Sequence, residues 1–309
     1  MTEIKSKIYP PLNFDDIPVS TNTFIVVTNL TINLDLLFDF LPITEYIVVP
    51  KKRGRKKKNI VLDPNDHILE GSIITLDLKN KIRGVVLKKK KKKEGKNMEY
   101  FRNSLTVVMI LDGKKINFKI SRNGKFQMTG CKYEKHSEDC VKYIWEYIKD
   151  NKDIYELNSR HFKAIFVPAM RNIDFSLGFI VDREKLNYYF NNETNYPSLL
   201  ETSIGYTGVN IKIPMIKKIE DLKLKQLKYK KNNWVDPPKY VPFQKYLDYL
   251  KPKEQLKKIQ KERLNTFLVF QSGKVIMSSI CKEMSRDVYY EFLSIIQNNN
   301  VLFEEKLTS

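Results

Sequence analysis

The chain has 309 residues, with 55 Lys and Arg against 36 Asp and Glu, and a formal net charge of +19. Its 42% hydrophobic content supports a sizeable core, and the cationic excess calls for a polyanionic partner, nucleic acid before acidic membrane. Three cysteines without a CxxC pair exclude a disulfide framework and fit buried thiols in a reducing compartment; no apolar run reaches membrane-spanning length, and the opening MTEIKSKIYPP is not a signal peptide.

Residues 1–20, with Pro10, Pro11 and Pro18, read as an extended arm. Thr23–Leu30 is a strand of β-branched and aromatic residues. Asn33-Leu34-Asp35 leads into a short helix, Leu36–Leu41, stopped by Pro42. Lys51–Lys58 is a basic loop, read either as a phosphate contact or nuclear-import signal, or as a solvated loop. Ser72–Leu78 and Lys81–Leu87 form a strand pair turning at Lys79-Asn80. A second basic loop, 88–96, holds the six lysines Lys88–Lys93, whose like charges will not pack. Ser104–Leu111 is a strand, Asp112-Gly113 a hairpin turn, and Ile116–Ile120 the partner strand.

The next stretch, Asn117–Ile148, recurs as Asn265–Gln297. Each copy reads strand, glycine turn, strand, loop, helix. Gly124-Lys125 matches Gly273-Lys274, and Met128 matches Met277. Ser137 and Ser285 are expected as N-caps, with Asp139 and Asp287 in the first turn. The stripe Cys140, Val141, Ile144, Trp145, Ile148 falls on Val288, Tyr289, Phe292, Leu293, Ile296. Two copies imply one domain with internal two-fold pseudosymmetry.

Between the copies, Phe162–Phe179 opens the second half, and Asn172-Ile173-Asp174-Phe175 echoes Asn33-Leu34-Asp35-Leu36. Asp182 caps a helix over Arg183–Phe190, and Tyr206–Met215 is a strand. Residues 216–262 form a lysine-rich insertion with two short helices near Phe243–Leu250 and Lys253–Glu262, read as surface decoration or as a docking element. The domain plan is an arm (1–20), a first half (21–158), a second half (159–301) carrying the insertion, and a tail (302–309). With helices on one sheet face, the other face is left to act.

Catalysis finds no support. His67, His136 and His161 lie at no metal-ligand spacing, and no nucleotide-binding, nucleophile-elbow or zinc-protease motif occurs. Asp35 and Asp174, each beside an amide, read as caps or turns. No enzyme, metal or cofactor is expected. Counting alternate residues from Phe270 puts Leu268, then Ile276 and Ser278, on the uncovered face. In the first half the same count places Phe118, Ile120, Gln127 and Thr129 there. Apolar and hydroxyl side chains suit a DNA minor groove, with rim lysines such as Lys125 and Lys274 on phosphates. The alternative is that this face packs on another protein or on the insertion.

At these residues the sequence resembles the TATA-box-binding protein family, whose marker is LIF-x-SGK-x-x-x-TGAK followed by a helix in both halves. Leu268-Val269-Phe270-Gln271-Ser272-Gly273-Lys274 carries the first part, and Gly124 to Lys132 the later part. Thr28-Asn29-Leu30 resembles the exit of the family's first strand, and Tyr206-Thr207-Gly208-Val209 the start of another. The basic loops and Phe101-Arg102-Asn103-Ser104 are similar to members carried by large DNA viruses. The resemblance implies an α+β fold: a saddle of two pseudo-symmetric antiparallel halves with helices on its convex face. It implies Phe270 and Tyr206 as the second-half wedge and Ile120, with Phe118, replacing one first-half phenylalanine. Phe101, Asn103 or Leu105 stands near the other. Val27, Asn29 and Asn172 join the groove-facing set; for the family's paired asparagines, Thr23 or Asn22 stands at one place and Asn172 or Met170 at the other.

The function so implied is a monomeric transcription-initiation factor. It binds and bends A·T-rich double-stranded promoter DNA and recruits a IIB-like factor and RNA polymerase. The alternative is a scaffold of the same fold in a viral transcription complex, with charge-driven nucleic-acid binding only. No membrane association is expected. The expected compartment is the host nucleus or a cytoplasmic viral factory, with packaging in the virion as a further option.

Overall fold

Alternating apolar residues build the strands, and 3.6-residue stripes build the helices that cover them. The computed structural model describes residues 13–49, 64–79, 81–87, 103–200 and 207–305. The basic runs Lys51–Lys58 and Lys88–Lys93, and Phe101 and Tyr206, lie outside the described residues. In chain order the elements are β1 (Val19–Thr28), β2 (Leu30–Ile32), α1 (Leu34–Phe40), β3 (Ile73–Leu78), β4 (Lys81–Gly84), β5 (Ser104–Leu111), β6 (Lys114–Ser121), β7 (Lys125–Cys131) and α2 (Glu134–Ile148). Then come β8 (Tyr155–Leu157), β9 (Phe162–Ser176), α3 (Arg183–Glu193), β10 (Ser198–Leu200) and β11 (Gly208–Pro214). The insertion adds β12 (Lys223–Lys230), β13 (Asn233–Trp234), β14 (Lys239–Pro242), α4 (Gln244–Leu247) and α5 (Pro252–Gln260). The chain ends with β15 (Leu264–Phe270), β16 (Lys274–Ser279), α6 (Lys282–Asn298) and α7 (Asn300–Phe303).

The chain divides into two units. The first unit comprises residues 23–167 and 224–241. Its antiparallel strands run in the order β1-β7-β6-β5-β3-β4. Phe24, Val26, Val107, Phe118, Ile120 and Met128 meet Ile144, Trp145 and Ile148 of α2 in one core. The inserted strand β12 pairs with the start of β9, from Lys225 opposite Phe166 to Tyr229 opposite Phe162. This brings Tyr229 to Trp145 and Trp234 to Phe162, on which the Trp145 indole stacks at 4.4 Å and 8°. No strand was expected in the insertion. KLKQLKYK hides its short apolar alternation, Leu227 and Tyr229, among lysines.

The second unit comprises the described parts of 1–22, 168–223 and 242–309. Its strands run β10-β11-β15-β16-β9, and α3 and α6 share a core with the sheet. Phe267 stacks on Phe292 of α6 at 4.1 Å and 12°. The segment before β1 belongs here. Phe14 packs on Tyr289, and Asp15 pairs with Lys282 and Arg286 of α6.

The repeat is visible in its turns. Gly124 has φ +64°, and Gly273 has φ +75°. An added Cβ would lie 2.4 Å from the Leu30 carbonyl oxygen at Gly124 and 2.1 Å from that of Phe179 at Gly273. Backbone hydrogen bonds hold each turn against the exit of the unit's long strand. Ile32 N–H donates to the Arg122 carbonyl at 2.7 Å, and Val181 N–H to the Gln271 carbonyl at 2.8 Å.

Asn33 and Asp182 cap α1 and α3 through their side chains. Ser137 and Ser285 do not cap. Each helix begins earlier, at Glu134 and Lys282, without a side-chain cap. The serines lie buried inside the first turn, where Ser137 Oγ donates to the Glu134 carbonyl at 2.6 Å and Ser285 Oγ to that of Cys281 at 2.9 Å. The apolar stripe itself starts earlier, with buried His136 and Met284, and draws the chain into the helix ahead of the serine.

Burial pushes the Cys131 thiol up to about 11 and the Cys281 thiol up to about 12, and raises that of Cys140 well above its ordinary value. These thiols ionise less readily folded than unfolded, so their contribution to stability is complete below the ordinary thiol range. It is lost as pH climbs toward the folded values. We expect a thiol-specific disulfide reagent at neutral pH to leave all three unmodified until denaturant is added. Rapid labelling of the native chain would contradict this.

Candidate nucleic-acid interface

In the β15–β16 hairpin, Asn265, Phe267, Val269, Val275, Met277 and Ser279 are buried on the helix side. The alternate residues Thr266, Leu268, Phe270, Ile276 and Ser278 are half-buried on the other face. Register orders them into rows. Asn210, Leu268, Ile276 and Asp174 lie across β11, β15, β16 and β9, and Lys212, Thr266, Ser278 and Asn172 form the next row. Phe270 faces Gly208, where a Cβ would come within 2.7 Å of the Leu268 side chain. A side chain at 208 would therefore displace Leu268. Oδ1 of Asn172 and of Asn210 is buried without a hydrogen bond. Ser20 Oγ donates to the Asn172 carbonyl at 3.2 Å. Lys274 is exposed at the turn.

The first-unit hairpin differs. Phe118 is 1% exposed and Ile120 0%, both on the helix side, so neither can contact a ligand on the opposite face. Phe118 lies opposite Met128, and Ile120 opposite Phe126, all in the core. The two turns have equal length, so counting back from glycine makes Ser121 the counterpart of Phe270 and Phe118 that of Phe267. Matching Ile120 to Phe270 by chemistry missed this spacing and inverted the face of every β6 residue. The non-helix face here carries Asn117, Lys119 and Ser121 beside Thr129, Gln127 and Lys125. Gln127 and Thr129 lie where alternation puts them, beside polar and cationic neighbours.

Two further expectations change. Asn29 is buried with its amide fully engaged. Its Nδ2 donates to Ser159 Oγ at 2.7 Å and to the His161 carbonyl at 2.9 Å, while its Oδ1 accepts from Lys163 N–H at 2.7 Å. It ties β1 to β9 and has no groove-facing atom to spare. Val27, next to core Val26 and so on the opposite face, is only 4% exposed. That face is also covered elsewhere in the first unit, where Tyr46, Ile68 and Leu87 pack on Ile74, Val108 and Ile110. The expected bare face is therefore bare only in part. Among the described residues no group of three or more His, Cys, Asp or Glu could hold a metal ion, and no helix is long and apolar enough to cross a membrane.

A family model described as transcription factor TFIID (or TATA-binding protein, TBP) matches residues 72–151, the first-unit segment from β3 through α2. An uncharacterized protein 335L of Invertebrate iridescent virus 6 is 27% identical over 216 residues, covering 66% of this chain and 64% of its own. A TATA-box-binding protein-like protein of Acanthamoeba polyphaga mimivirus is 30% identical over 189 residues, covering 57% of this chain and 45% of its own. The matches thus span less than two thirds of either viral relative. A solved structure, Methanococcus jannaschii TBP, is 13% identical with a TM-score of 0.40, over 91% of this chain and 98% of the other.

Proposed function

We propose that the chain is a divergent TATA-box-binding-protein-like protein similar to those of large DNA viruses, and that it is a transcription-initiation factor that binds and bends A·T-rich promoter duplex through the minor groove. The pair Leu268–Ile276, with Phe270 one row on at the end of β15 and Thr266 and Ser278 alongside, carries this reading. A minor groove has apolar sugar walls, presents only acceptors at A·T pairs, and yields to an apolar wedge between base steps. Asn172 and Asn210 each hold an amide that can turn toward those acceptors. The protein acts as a binding platform and not as an enzyme. On this reading it works as a monomer in the host nucleus or a viral factory, where a IIB-like factor and RNA polymerase join it on DNA.

The test is affinity and bending on A·T-rich against G·C-rich duplexes at one fixed salt concentration. Tighter binding and a larger bend on the A·T-rich duplex are expected. A second reading has its own observations. Lys119 and Gln127 stand where Leu268 and Ile276 stand in the other unit, and the carboxylate of Asp174 sits on the hairpin face. These favour a scaffold that binds nucleic acid by charge alone. Equal, steeply salt-dependent affinity for both duplexes would support it and contradict the first. Asp174→Asn removes an anion from the proposed DNA face, so it should tighten duplex binding several-fold at low salt and less at high salt. Fluorescence anisotropy at two salt concentrations measures this, and weaker binding would place Asp174 elsewhere.

A further inference from the structure

The inserted strand β12 is two-faced. On the core side, Leu227 and Tyr229 are buried, and Lys225 is matched by Glu138 at 2.7 Å and Glu134 at 3.5 Å. On the other face Lys228 stands directly opposite Lys163 of β9. Like charges placed opposite each other across a sheet destabilise it. Arg160 and Lys230 crowd the same place: with Lys163 and Lys228 they are the cations that bear on His161, whose pKa is lowered by desolvation first and by these four charges next. Among the described residues none of the four has an ion-pair partner. The fold thus neutralises the lysine on one side of the strand and gathers four uncompensated cations on the other.

We infer that this patch is a second phosphate-binding surface, built by the inserted strand, that grips the backbone of double-stranded DNA without reading its sequence. A polyanion laid across the patch relieves the Lys163–Lys228 repulsion, and duplex DNA offers the densest regular array of such charges. Single-stranded nucleic acid is usually held on aromatic platforms. Here the nearby aromatics are engaged with one another on the core side, Phe162 and Tyr229 with Trp145 and both with Trp234. The inference does not depend on the minor-groove reading, because the patch lies on a different unit from the β15–β16 face and recognises only phosphate.

The experiment is a salt titration of duplex binding by the full chain. Lys163→Gln/Lys228→Gln should lower the slope of log affinity against log salt by about 2, at about 0.9 per lost phosphate contact. Lys135→Gln, on the helix layer of the same unit, should leave it unchanged. Without DNA, Lys228→Gln should raise the melting temperature, since it removes a repulsion. In the wild type, bound duplex should lift the His161 titration toward its ordinary range, read by NMR of the ring. An unchanged slope, an equal fall with Lys135→Gln, a fall confined to single-stranded DNA, or an unmoved His161 titration overturns the inference. Loss of A·T preference in a Phe270 variant leaves it standing, because that result concerns the other face.

Discussion

Gly273→Ala and Gly124→Ala are each expected to lower stability by about 3 kcal/mol, whereas Gly113→Ala should cost only about 1. All three glycines sit at positive φ, +75°, +64° and +65°, so each variant bears the cost of a left-handed L-residue. The difference is space. At Gly113 a Cβ meets nothing within 4 Å, while at Gly273 and Gly124 it meets backbone carbonyl oxygens at 2.1 and 2.4 Å. Those carbonyls belong to Phe179 and Leu30, just past the long strand of each unit, and cannot move without breaking the bonds that hold the turns. Denaturant unfolding of the three variants measures this. Equal costs at all three positions would mean that the turns are not clamped by the strand exits and that the repeat is not held together there.

Phe267→Ala should cost about 3–5 kcal/mol of stability and Phe270→Ala no more than about 1. The two residues are three apart on one strand and face opposite ways. Phe267 is buried and stacked on Phe292, so truncation leaves a cavity under α6. Phe270 is half-buried at the strand's end, so truncation leaves little void. Thermal unfolding distinguishes them, and comparable losses would mean that the alternation assigned to β15 is wrong.

The sequence carried more of the fold than of the site. The repeat, the two hairpin turns and the cap Asp182 were legible because each rests on a local rule, such as a glycine at positive φ or a side chain that meets a free N–H. The first-unit face was misread because a chemical likeness, Ile120 to Phe270, outweighed the spacing to Gly124. Counting from the glycine would have put Ser121 there. The role of Asn29 could not be read at all, since its partners Ser159, His161 and Lys163 lie more than a hundred positions away. Strand β12 was missed because its apolar side is two residues long. Its Lys228, with Lys163 opposite, gains meaning only once β9 is known to lie beside it.

The half-exposed apolar row of the β15–β16 hairpin is the feature on which DNA recognition turns, and one titration addresses it. At fixed salt, Phe270→Ala should bind an A·T-rich duplex about 1–3 kcal/mol more weakly than the wild type, while Ser121→Ala, its counterpart in the other unit, should bind as the wild type does. Unchanged affinity of Phe270→Ala for the A·T-rich duplex would contradict the proposed interface.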